Sequence, residues 1–289
     1  MNEKELKDLE QDLQGASSWD VATRYHEFKS RTKNQKLAHH LRKISAAAIL
    51  ERAREVVGSV VRPVEQKSAP WPDLPPHAQE ADLDLDETIE NSPMGVTSAQ
   101  DIWMVYPSHR RQSIILTVDT SLSMTGEKLA LTAVALAVVL LEFPDDPIGM
   151  IAFENEARIL KAPDEFISIE QLLERFLDVP AQGYTHLEAG MKAALRLTQA
   201  TQVSGRGKPP SVVLLTDGKY TAGKDPTYLA GRFPHLVVLK MGKERASLDL
   251  CKDLARRGRG VLREVEELEA LPQVMYAAVK DLLRGRSII

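Results

Sequence analysis

The sequence predicts an α/β fold: a doubly wound, mostly parallel sheet with one antiparallel edge strand, preceded by an α-helical amino-terminal region. Three observations carry this expectation. Four short β-rich apolar runs, "SIILTV", "IGMIAF", "SVVLLT" and "HLVVLKM", recur within residues 112–289, each bounded by turn residues. Helix-forming stretches separate them. The runs are continuously apolar, as strands buried on both faces are, and do not alternate as half-exposed strands do.

In chain order, residues 1–58 contain no proline, and "ASSWDVATRYHEFKS" and "QKLAHHLRKISAAAILERAREVV" place apolar residues at helical spacing, for example Leu37, Leu41, Ile44 and Ala48. From Arg24 to Lys43 there are seven basic residues and one acid, Glu27. This reads as a solvated helix face, with a docking or nucleic-acid patch as the alternative. Residues 59–111 change character. Four prolines break "SAPWPDLPPH", and "EADLDLDETIE" is strongly acidic. Asp82, Asp84 and Asp86 suggest a calcium loop, but Glu87 and Pro93 stand where that loop needs glycine and glutamate. The segment is therefore expected to be a solvated linker or docking segment, or an acidic strip meeting a basic partner.

Residues 112–289 alternate strand and helix. Helices are predicted at Gly126–Phe143, Ile169–Leu177, Thr185–Gln199, Leu248–Arg257 and Glu266–Leu283, and "ENEARILKA" after "IGMIAF" supplies the antiparallel edge. The apolar run Leu131–Leu141 falls short of the roughly 20 residues that span a bilayer, so it reads as a buried helix.

A hydrophobic content of 43% and a charged content of 27% are those of an ordinary soluble globular protein. The net charge of −4 argues against a general nucleic-acid binder. The single cysteine, Cys251, excludes an intramolecular disulfide framework and fits a reducing compartment. The charged start "MNEKELKDLEQDL" lacks the apolar core of a secretory signal, so the expected location is the cytoplasm, with no membrane span.

In a doubly wound sheet, ligands bind beyond the carboxyl ends of the strands. After the first strand comes Asp119-Thr120-Ser121-Leu122-Ser123, after the third comes Thr216-Asp217-Gly218, and between them lies "QGYTHLEAG" with Gly183 and Thr185. These are hard oxygen donors, suited to magnesium, manganese or calcium and not to zinc. Alternation at 119, 121 and 123 points three oxygens to one side. A helix cap at Ser123 would explain that residue but not the others. An aspartyl-phosphate reading of Asp119 fails because Ser121 stands where a second acid is needed. "GKYTAGKD" has the Gly-x4-Gly-Lys spacing of a phosphate-binding loop, but Asp225 replaces the required Ser or Thr. His186 is read as a loop or cap residue, not a proton shuttle.

Asp-x-Ser-x-Ser, Gly-x-Thr and Thr-Asp-Gly together resemble the metal-ion-dependent adhesion site of von Willebrand factor type A domains, over about residues 112–283. Leu122 departs from the glycine found in many members. The resemblance implies a metal site of Asp119, Ser121, Ser123, Thr185 and Asp217, holding Mg2+, with Mn2+ or Ca2+ as alternatives. It implies a non-enzymatic module in which a partner's Asp or Glu completes the metal's coordination. "LDLDETIE" and "VDTSLSMTGEKLALTAVALAV" resemble the group associated with MoxR-type AAA+ ATPases. That implies an adaptor or co-chaperone, with the motor on another polypeptide and nucleic acid not expected. A Mg-dependent hydrolase using the same site and a subunit of a metal-chelatase-like complex are the alternatives.

Overall fold

The structure, a computed structural model, describes residues 16–58 without 33, 66–107 without 75–80, and 113–283 without 145, 182, 205–208 and 246. The chain divides into two compact units, residues 60–110 and the remainder.

The amino-terminal helices are α1 (Ser18–Thr23), α2 (Tyr25–Arg31) and α3 (Gln35–Gly58). A capping box opens α1: the Ser17 hydroxyl accepts from the Asp20 amide while the Asp20 carboxylate accepts from the Ser17 amide. Tyr25, Phe28, Leu41, Ile49 and Ala53 are buried in one apolar core with the carboxy-terminal sheet, so these helices belong to the larger unit. Lys29 and Arg42 both reach Asp178, at 3.0 and 2.7 Å. Part of the basic run is therefore engaged within the chain; Lys33 lies outside the described residues.

The described part of residues 59–111 carries secondary structure of its own. Strands β1 (Gln66–Pro70), β2 (Asp82–Leu83) and β3 (Trp103–Pro107) form an antiparallel sheet in the order β1-β3-β2, with helix α4 (Leu85–Asn91) between β2 and β3. The acidic run has local work to do. Asp84 caps α4 by accepting from the Glu87 amide at 3.2 Å and takes the Ser68 hydroxyl at 2.8 Å. Asp86 and Glu87 then sit in the first helical turn, where carboxylates are favoured by the helix dipole.

The larger unit continues with β4 (Ile114–Asp119), α5 (Glu127–Glu142), β5 (Ile148–Phe153), β6 (Ala157–Lys161), α6 (Ile169–Leu177), α7 (Leu187–Ser204), β7 (Ser211–Thr216), α8 (Thr227–Ala230), β8 (Leu236–Met241), α9 (Leu248–Arg257), β9 (Leu262–Val265) and α10 (Leu271–Leu283). The sheet order is β6-β5-β4-β7-β8-β9, and only β6 runs antiparallel. Ile114, Leu116 and Val118 face one core, shared with α5, α6, α10 and the amino-terminal helices. Ile115, Ile151 and Phe153 face the other, shared with α7, α8 and α9. From Leu129 to Leu140 every residue of α5 is buried, which is why its sequence is apolar all round. Among the described residues no helix is long and apolar enough to cross a membrane.

Two expectations need adjusting. The last helix begins at Leu271, after a 3-10 turn at Leu268–Ala270, with Pro272 in its first turn where a missing amide costs nothing. Strand β9 was not anticipated.

Candidate metal centre

Strand β4 is central, and the chain leaves it toward β5 through α5 on one face and reaches β7 through α7 on the other. The carboxyl ends of β4 and β7 therefore form a topological switch point, where such sheets bind ligands. Asp119 is the last residue of β4, and the other four predicted residues lie in the loops that follow the strands.

Asp119 closes β4 and is fully buried. Its Oδ1 accepts from the Ser121 amide at 2.9 Å and its Oδ2 from the Thr216 hydroxyl at 2.9 Å. Thr216 in turn accepts from the Gly218 amide at 3.0 Å, so the β7 loop is fixed to the β4 carboxylate. Ser121 and Ser123 bring their hydroxyl oxygens within 3.2 Å of each other. Ser123 is not a helix cap: it lies in a 3-10 turn, Leu122–Met124, and Gly126 caps α5. Asp217 Oδ1 accepts from the Lys219 amide at 3.0 Å, and the Asp217 carbonyl takes the Ser247 hydroxyl at 2.5 Å.

Thr185 is held by its backbone. Its amide donates to the Thr221 hydroxyl at 2.9 Å, and its carbonyl accepts from the Thr221 and Ala222 amides at 3.0 and 3.3 Å. Gly183 allows the close approach that the sequence suggested: a Cβ there would overlap the Glu154 carboxylate and the Asn155 amide. The Gly183 carbonyl also accepts from the Leu122 amide at 3.5 Å, so the first and second loops touch.

Burial pushes the Asp119 carboxyl up to about 6, the Asp217 charge adds to the effect, and the bonds from Ser121 and Thr216 oppose it. Lys219, two residues after Asp217, is engaged by Glu244. At the carboxyl end of the central strands, Asp119 thus feels the Asp217 charge, and the Ser121 and Ser123 hydroxyls adjoin each other. Among the described residues no cluster of three or more His, Cys, Asp or Glu side chains could hold a metal. Carboxylate and hydroxyl oxygens such as those of Asp119, Asp217, Ser121 and Ser123 are donors for a hard cation, not for a thiolate or imidazole metal.

His186 joins the loop framework. Its Nδ1 lies 3.0 Å from the Asn155 carbonyl, and its Nε2 lies 3.7 Å from Glu188 Oε2. Two supporting groups escaped the sequence reading. Thr216 was seen only as part of Thr-Asp-Gly, and nothing marked its hydroxyl as the partner of Asp119. Glu188 is the second residue of α7, with no motif to single it out.

Residues 114–219 match the family model of the von Willebrand factor type A domain. A stretch of 174 residues is 27% identical to human inter-alpha-trypsin inhibitor heavy chain H6, covering 54% of this chain and 13% of that protein. Another of 170 residues is 32% identical to an uncharacterised protein of Mycobacterium tuberculosis, covering 54% of this chain and 27% of that one. The chain thus spans a minor part of these relatives. Among solved structures, a von Willebrand factor type A protein from Catenulispora acidiphila shares the fold, with a TM-score of 0.50 and 16% identity over 63% of this chain and 44% of that one.

Proposed function

We propose that this A domain is a metal-dependent protein-recognition module whose centre is formed by Asp119, Ser121, Ser123, Thr185 and Asp217. The observation that carries the reading is Asp119: a carboxylate with no exposed surface, sensing the Asp217 charge and bonded by Ser121 and Thr216, at the carboxyl end of a central strand. Such a group is costly unless a cation meets it. Ser121, Ser123 and Thr185 would offer hydroxyl oxygens and Asp119 and Asp217 their charge, with Mg2+ the first choice. When bound, such an ion supplies an open position to a partner's Asp or Glu. Leu122 and Tyr184, each beside a candidate ligand in sequence, stand 61% and 69% exposed, and Tyr220, three residues after Asp217, 38%. Such apolar and aromatic side chains serve as anchors for the residues flanking the partner's acid.

The narrower reading follows from the resemblance alone: an adaptor or co-chaperone in the cytoplasm, working with a separate MoxR-type AAA+ ATPase on client proteins. Capture of partners from the native cell in magnesium, in chelator and with Asp119→Ala tests both levels. The broad reading expects a partner that chelator strips and magnesium restores, and that Asp119→Ala does not hold. A partner retained in all three conditions would move docking away from the metal centre. Identification of that partner as an AAA+ ATPase or its client supports the narrower level, and any other identity overturns it.

A further inference from the structure

The sequence 218–225 has the glycine spacing of a phosphate-binding loop without its metal-holding hydroxyl, and the structure shows what its backbone faces instead. The Lys224 amide donates to Glu188 Oε2 at 2.9 Å. Gly223, with φ +82°, lies against the same group: a Cβ there would run into the His186 ring and the Glu188 carboxylate. Tyr228 of α8 donates its hydroxyl to Glu188 Oε1 at 2.5 Å, and Lys192, one turn along α7, pairs with that oxygen at 2.7 Å. Glu188 is only 5% exposed and stands in the first turn of an 18-residue helix, where a carboxylate is favoured. Amides of glycine-rich turns form anion seats. Here the chain itself supplies the anion.

We propose that the Glu188 carboxylate is the internal anion of the Gly218–Lys224 loop and, through that loop, a positioning residue for the metal centre. This rests on the metal reading above. Thr185 pins the loop at Thr221 and Ala222, and Glu188 pins it at Lys224 and Tyr228. Asp217 begins the same loop, so the two anchors on the α7 side set where Asp217 stands relative to Thr185. Lys192 from one side, with the Lys224 amide and Tyr228 from the other, holds the Glu188 carboxyl at about 2, so the anion is present whenever the protein is folded. Groups that orient metal ligands from behind carry about 10- to 100-fold of metal affinity in other proteins.

The test is calorimetric titration of the full chain with Mn2+. Glu188→Ala should bind Mn2+ at least about tenfold more weakly than wild type. Added acetate, at ionic strength matched with chloride, should restore part of that affinity by refilling the seat. It should do nothing for wild type or for Thr185→Ala. Should the alanine variant fail to fold, Glu188→Gln, which keeps an acceptor but drops the charge, must still bind Mn2+ more weakly than wild type. Wild-type affinity in the variant that folds, or a loss in Glu188→Ala that acetate leaves untouched, would overturn the proposal while wild type still binds Mn2+. Absence of Mn2+ binding by wild type would instead overturn the metal reading on which it stands.

Discussion

Asp119→Asn should stabilise the protein in chelator at neutral pH while removing its response to divalent cations. Burial, with a smaller contribution from Asp217, raises the Asp119 carboxyl from 3.8 to about 6. A folded-state value above the unfolded one means that between the two the native protein binds the extra proton. Unfolding free energy therefore falls as pH climbs from about 4 to about 6, and the whole penalty stands above that window. At about 1.4 kcal/mol per unit, the ionised carboxylate costs the metal-free fold about 3 kcal/mol. Asparagine keeps an acceptor for the Ser121 amide, but its NH2 group replaces the oxygen that took the Thr216 hydroxyl. The recovered part is then on the order of 1–2 kcal/mol. Denaturant unfolding of both proteins in chelator, at about pH 4 and about pH 7.5, reads this as a difference of differences. The variant should gain on wild type only at the higher pH. Magnesium or manganese at one hundred times the dissociation constant should add about 2.7 kcal/mol to wild type and nothing to the variant. A gap that ignores pH, or an equal metal response in the variant, would refute the reasoning.

Thr185→Ala removes a neutral donor and no charge, so metal affinity should fall less than in Asp119→Ala; calorimetry that finds no change would remove Thr185 from the ligand set. Tyr184→Ser, at a side chain 69% exposed, should leave the metal-induced rise in Tm intact yet weaken capture of the partner, and an unaltered capture would take Tyr184 out of the recognition rim. Phe28→Ala opens a void in the core shared by α2 and the sheet, and should cost about 3–5 kcal/mol in a single cooperative transition. Melting of the amino-terminal helices as a separate, earlier step would contradict that shared core.

The strands of the main sheet were legible because a strand buried on both faces must be apolar throughout, and "SIILTV" or "SVVLLT" can hardly be anything else. Helix Leu248–Arg257 was found to the residue, since its apolar stripe is narrow and Gly258 follows it. Strand β9 was missed for the opposite reason: Leu262–Val265 lies at the sheet edge, carries Arg263 and Glu264, and has no periodicity of its own. The short strands around the acidic run were hidden likewise, because β1 and β2 take their identity from pairing with β3 and not from their own composition. The candidate oxygen donors were visible as a motif. The groups that hold them were not: Thr216, Thr221 and Glu188 act through contacts 97, 36 and 36 residues apart in sequence, which no local pattern encodes.

The burial of α5 on every side bears on how this protein can be divided. The family match ends at residue 219 and begins at 114, so an excised fragment with those borders would lose β8 and β9 from the sheet. It would also strip α3 and α10 from a helix in which no residue between Leu129 and Leu140 is accustomed to water. Such a fragment would present a bare apolar rod to its neighbours and aggregate. A workable minimal piece must carry residues from both sides of the small acidic unit, with that unit retained or replaced by a flexible bridge. Among the described residues, the walls around α5 all come from the larger unit, on either side of the segment read first as a linker.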